Sequence, residues 1–95
     1  MVPPKLSEKE WTKVFKGLGN ENRIKIIKML YPQKSMTVTE VKRKLGISYK
    51  WMSKNLVDLE KIGILLSKGL KGHVIYRINP DLSKEIDKVI RTFTS

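Results

Sequence analysis

Ninety-five residues set the size of one domain with a small core. With no cysteine and a single histidine, His73, the chain cannot form disulfides, thiolate metal sites, cysteine nucleophiles or a cluster of imidazoles around a metal. Twenty Lys and Arg against nine Asp and Glu leave a net charge of +11, which directs attention to polyanionic partners.

Taken in order, the chain opens on Pro3-Pro4, and residues 1–6 are expected to form a loose arm. Ser7 and Glu10 make a capping box, predicting a helix over 7–18 with an apolar stripe at Trp11, Val14, Phe15 and Leu18. That stripe can be core or half of a subunit interface. Asn20 caps a second helix to about Tyr31, with Ile24, Ile27, Met29, Leu30 and Tyr31 mostly inward, and Pro32 stops it. Ser35-Met36 can form one short strand.

Thr37 and Glu40 make another capping box. Val38, Val41 and Leu45 follow at helical spacing, and Gly46 supplies a left-handed stop. Ser48 then caps a helix over 48–62 whose inward face is Met52, Leu56, Leu59 and Ile62. Its other face carries Tyr49, Lys50, Ser53, Lys54 and Val57, the pattern and charge of a helix-turn-helix.

Beyond Gly63 the hydrophobic period drops from 3.6 to 2. Residues 64–68 and 73–78 read as two strands joined by the loop Gly69-Leu70-Lys71-Gly72, a wing over 64–78. A last helix over 80–93 is predicted from Pro80, with a stripe at Leu82, Ile86, Val89, Ile90 and Phe93. The expected fold is mainly α with a small β-hairpin wing, a single winged helix-turn-helix domain in the order α-α-β-α-α-β-β-α.

Charge is concentrated where this reading places the contacts. Residues 41–80 hold nine Lys and Arg against only Asp58 and Glu60. Such a localised basic face is the footprint of a nucleic-acid binder. Lys50, Ser53 and Lys54, with Ser48 and Tyr49 beside them, are the candidate groove contacts, and Asn55 can read adenine if it points outward. Trp51 stands one step from the inward Met52; it can pack or reach the duplex, and packing is the expectation. Lys42 and Arg43, with Lys44, suit phosphate positioning from the preceding helix, as do Lys68 and Lys71 from the wing.

These stretches resemble the ArsR-type winged-helix transcriptional regulators over about Val14 to Pro80. The resemblance rests on Leu18-Gly19-Asn20-Glu21-Asn22-Arg23-Ile24, Val38-Thr39-Glu40-Val41, Leu45-Gly46-Ile47-Ser48, Met52-Ser53, Leu56, Leu59, Gly63-Ile64-Leu65 and Gly72 to Pro80. It implies a homodimer held by the first and last helices, through Trp11, Val14, Phe15, Leu82, Ile86, Val89, Ile90 and Phe93. It further implies a reading helix in the major groove of double-stranded DNA and a wing on the backbone or minor groove. Metal-sensing members carry Cys-Val-Cys where this chain has Thr37-Val38-Thr39, and the alternative Asp and His ligands reduce here to Asp81. No metal effector and no cofactor are therefore expected.

A sequence-specific DNA-binding regulator is the first reading, and a non-specific or architectural DNA-binding protein the alternative, since +11 alone attracts any duplex. An enzyme is not expected, because no nucleophile sits with a base and no glycine-rich loop cradles phosphate. No stretch reaches the about 18 to 20 apolar residues of a membrane span, and MVPPKLSEKE lacks the apolar centre of a secretory signal, so a cytoplasmic protein is the expectation. Abundant Lys and Ile with one Gln are compatible with a thermophile and fit an AT-rich genome equally well, while the resemblance is to a member of archaeal or archaeal-virus origin.

Overall fold

A computed structural model describes residues 5–94. The elements run α1 (Glu8–Leu18), α2 (Glu21–Leu30), β1 (Met36–Thr37), α3 (Val38–Leu45), α4 (Tyr49–Lys61), β2 (Leu65–Leu70), β3 (His73–Ile78) and α5 (Lys84–Thr94). Of the expected 1–6 arm, residues 1–4 lie outside the described residues, while Leu6 packs on the rim of the core.

The helix starts follow from their caps. Ser7 and Thr37 each accept a hydrogen bond from the backbone N–H of a glutamate three residues on, and that glutamate's carboxylate accepts from the cap's own N–H. Two otherwise unsatisfied donors are paired at each end. Asn20 caps α2 through Asn22 and Arg23. Gly46 ends α3 at φ 67, a left-handed position where a Cβ would crowd the following carbonyl.

The core is built around α2, whose Ile26, Ile27 and Leu30 are fully buried. The inward face is therefore shifted from the expected one: Ile26 joins it, while Ile24 and Met29 are half-buried. Val41 of α3, Met52, Leu56 and Leu59 of α4, Ile64 and Leu65 at the sheet, and Ile90 of α5 close around it, all fully buried. Each contributes about 1.5–3 kcal/mol of apolar burial. These contacts fix α4 by one face and leave the other free.

The sheet order is β1-β3-β2, antiparallel throughout. Met36 pairs with Tyr76, and the hairpin register runs from Leu65 opposite Ile78 to Leu70 opposite His73. The predicted four-residue wing loop is shorter in fact. Gly69 and Leu70 belong to β2, and the turn is Lys71-Gly72 at φ 49 and 81, the double left-handed geometry of a two-residue hairpin.

The last helix also starts later than residue 80. Asn79 donates from Nδ2 to the Gly63 carbonyl (3.0 Å) and accepts from the Asp81 N–H (2.9 Å), holding the chain in a turn. Ser83 accepts from the Ile86 N–H (3.3 Å), so α5 begins at Lys84. No helix among the described residues is long and apolar enough to cross a membrane.

Candidate nucleic-acid interface

The outward face of α4 is a protruding ridge. Tyr49, Lys50, Trp51, Lys54, Val57 and Lys61 are exposed along it, and Ser53 is half-buried beside the wing. The first turn of α4 contains no acidic residue. Its unpaired N–H groups and the positive end of the helix dipole therefore stand next to Lys50 uncompensated. Ser48 is exposed and accepts from the Trp51 N–H at 3.4 Å, so its oxygen serves the cap while its hydroxyl proton stays free.

Both carboxylates of this region are turned away from the ridge. Asp58 accepts from Arg23 Nη2 at 2.8 Å on the α2 side. Glu60 accepts from the Ser67 N–H at 3.1 Å and from the Ser67 hydroxyl, joining the C-terminal end of α4 to β2. What remains on the surface is positive. The Tyr76 phenol inside the wing is pushed up by burial, with Glu60 and then Tyr49 adding to the effect.

Asn55 is a correction to the expected set. It is only 6% exposed, and its Oδ1 accepts from Arg23 Nε at 3.0 Å. Its side chain lies on the flank that α2 covers and is bonded to Arg23, so it positions the helix instead of pointing outward from it. Trp51 is the opposite case. It shares the flank of Asn55 and Asp58 but lies a turn closer to the N-terminus, and it is 59% exposed with the Lys54 ammonium 5.8 Å from its ring centroid. The expectation of packing fails there because the inward face at this end is already filled by Met52.

The remaining candidates are exposed around this ridge. Lys42, Arg43 and Lys44 occupy the last turn of α3, where positive charge also complements the helix dipole. Lys68 stands opposite Ile75 on the hairpin, and Lys71 is in the turn itself. Tyr49 and Ser53 share a groove of about 180 Å³ with Thr39, His73 and Val74, between α4 and the wing. A second groove of about 490 Å³ separates the α4 ridge from the start of α2.

The apolar stripes of the first and last helices divide into two groups. Val14, Ile86 and Ile90 are buried in the chain's own core, which removes them from any contact with a second subunit. Phe15 is 55% exposed and stacks on Trp11 with centroids 5.4 Å apart. Leu82, Val89 and Phe93 are half-buried at the core's edge. The sequence alone could not separate these groups, since both recur at the same helical spacing. Among the described residues, no three His, Cys, Asp or Glu side chains cluster as a metal would require.

No family model matches the chain. It is similar to the arsenic resistance transcriptional regulator ArsR1 of Pseudomonas putida, 26% identical over 78 residues, which is 82% of this chain and 61% of that protein. The chain thus spans about three fifths of the length of this curated relative. HlyU from Vibrio cholerae, in its reduced form, superposes with a TM-score of 0.76 at 24% identity, covering 88% of this chain and 84% of its own. The homodimeric winged helix-turn-helix DNA-binding domain Mb0332 from Mycobacterium bovis gives 0.74 at 20% identity, covering 96% and 85%. With five helices, a three-stranded antiparallel sheet and these neighbours, the chain has a winged helix-turn-helix fold.

Proposed function

We propose that the chain is a sequence-specific, double-stranded DNA-binding transcriptional regulator that acts as a homodimer in the cytoplasm. The observation that carries this reading is the α4 ridge, where Tyr49, Lys50 and Lys54 are exposed while Asp58 and Glu60 are both engaged elsewhere. A helix of this radius fits the major groove, and its N-terminal residues reach base edges there. Ser48, Tyr49, Lys50, Ser53 and Lys54 make the groove contacts, Lys42 and Arg43 hold phosphates from α3, and Lys68 and Lys71 hold the backbone or minor groove from the wing.

The relatives support the same class, a binding protein and not a catalyst. One is described as a transcriptional regulator, and another as a homodimeric DNA-binding domain. Trp11, Phe15, Leu82, Val89 and Phe93 are the apolar residues left for the second subunit. The reading includes no metal effector, with Thr37-Val38-Thr39 standing where sensing members carry thiols.

Selection from a randomised duplex library at about physiological salt tests this. Enrichment of a pseudo-palindrome, with half-sites about one helical turn apart, is the expected result. Retention without enrichment establishes instead the architectural reading, which the net charge of +11 favours.

A further inference from the structure

We propose that Trp51 is a specificity-determining residue, an apolar reader that distinguishes thymine by its C5-methyl group at one position in each half-site. The proposal rests on the DNA-binding reading above and deepens it. Trp51 lies in the first turn of α4, where a reading helix meets base edges, and is 59% exposed between Lys50 and Lys54, with Tyr49 and Val57 the other large apolar side chains exposed on the ridge. The fold does not use its indole, because the neighbouring Met52 fills the inward position and is fully buried. Among the described residues no protein acceptor pairs with its ring N–H.

The surroundings favour DNA over a protein socket. The groove beside Trp51 is lined by polar groups, Asn20, Asn22 and Lys54 among them, with Ile47 the one aliphatic side chain. Lys54 stands over the ring at 5.8 Å. That contact orients the ammonium and indole as one unit, with the cation free to continue toward a phosphate and the ring toward a base edge. In the major groove the thymine methyl is the apolar group that distinguishes A·T from the other pairs, and it matches an indole edge that hydrogen-bonding side chains cannot mimic. Covering one methyl is worth about a fourfold change in affinity.

Replacing each thymine of the selected site in turn by deoxyuridine removes that methyl and nothing else, and requires no altered protein. For the wild-type chain, one position per half-site should lose about fourfold in affinity at fixed salt. In Trp51→Ala the same replacement should have no effect at that position, while Trp51→Phe keeps part of it and the salt dependence stays as in wild type. Because Trp51 is exposed, the alanine variant should melt with the wild type. If a specific site is selected but no thymine is sensitive, or Trp51→Ala is as sensitive as wild type, Trp51 is not the reader and the DNA-binding reading still stands. If no site is selected at all, both fall together.

Discussion

Arg23 on α2 donates from Nη2 to the carboxylate of Asp58 on α4 at 2.8 Å, across 35 positions of sequence. The same guanidinium donates from Nε to Asn55 (3.0 Å) and from Nη1 toward the Gly17 carbonyl (3.4 Å). One side chain therefore ties the start of α2, the end of α1 and the flank of the proposed reading helix. Both partners of the ion pair are partly shielded, with side chains 18% and 29% exposed. Arg23→Ala should cost about 2 kcal/mol, since it strands Asn55 and Asp58 together. Arg23→Lys should recover less than half, because an ammonium cannot fork between them. Urea unfolding midpoints measure both.

Charge on the ridge and charge on α5 should have different effects. Lys50→Ala with Lys54→Ala should weaken binding to the selected duplex about tenfold or more, and flatten its salt dependence by about two phosphates. Lys84→Ala with Lys88→Ala, an equal loss of charge on α5, should change affinity less than threefold. Equal losses from the two pairs would reject the proposed docking.

Acid should weaken the fold through Asp87 and Glu40. The hydrogen bond from Arg91 holds the Asp87 carboxyl below the ordinary 3.8, with Tyr31 adding to it. The backbone N–H of Thr37 lowers Glu40 in the same direction. A carboxylate with a depressed folded value stabilises above its unfolded value and loses that contribution as the pH falls through the folded one. Unfolding midpoints should therefore fall as the pH is lowered from about 5 through and below the ordinary carboxylate range. In Asp87→Asn the drop should be smaller and the stability at neutral pH lower. A midpoint independent of pH over that range would contradict the assignment.

Phe15 tests the assembly. Phe15→Glu places a charge on a ring that is 55% exposed in the single chain, so the fold should survive, melting below the wild type only by what the subunit contact contributes. Sedimentation should show a dimer for the wild type and a monomer for the variant. A wild-type chain that sediments as a monomer at every concentration removes the homodimer.

Most of the fold was legible because its punctuation is local. Ser7 with Glu10, and Thr37 with Glu40, announce their helices within four residues, and Gly46 stops one by its own backbone freedom. The delay of α5 past residue 80 was not legible, since the turn before it is held by Asn79 reaching the Gly63 carbonyl, 16 positions away. The lysines offered as candidate contacts were named from charge and from their place on helix and wing, and all of them are exposed. The exposures of Asn55 and Trp51 came out opposite to expectation for a tertiary reason. They lie on one flank of α4, and only the position of α2 decides that the first is covered and the second open.

The bond between Glu60 and Ser67 has a mechanical meaning. A wing joined to its helix only by the Ile62-Gly63 corner could swing, and would lose freedom on meeting a duplex. With the carboxylate of Glu60 holding both the N–H and the hydroxyl of Ser67, helix and hairpin turn as one body. In the proposed complex the molecule then behaves as a caliper of fixed span. It would favour duplexes whose grooves already lie at that span over those that must be bent to meet it.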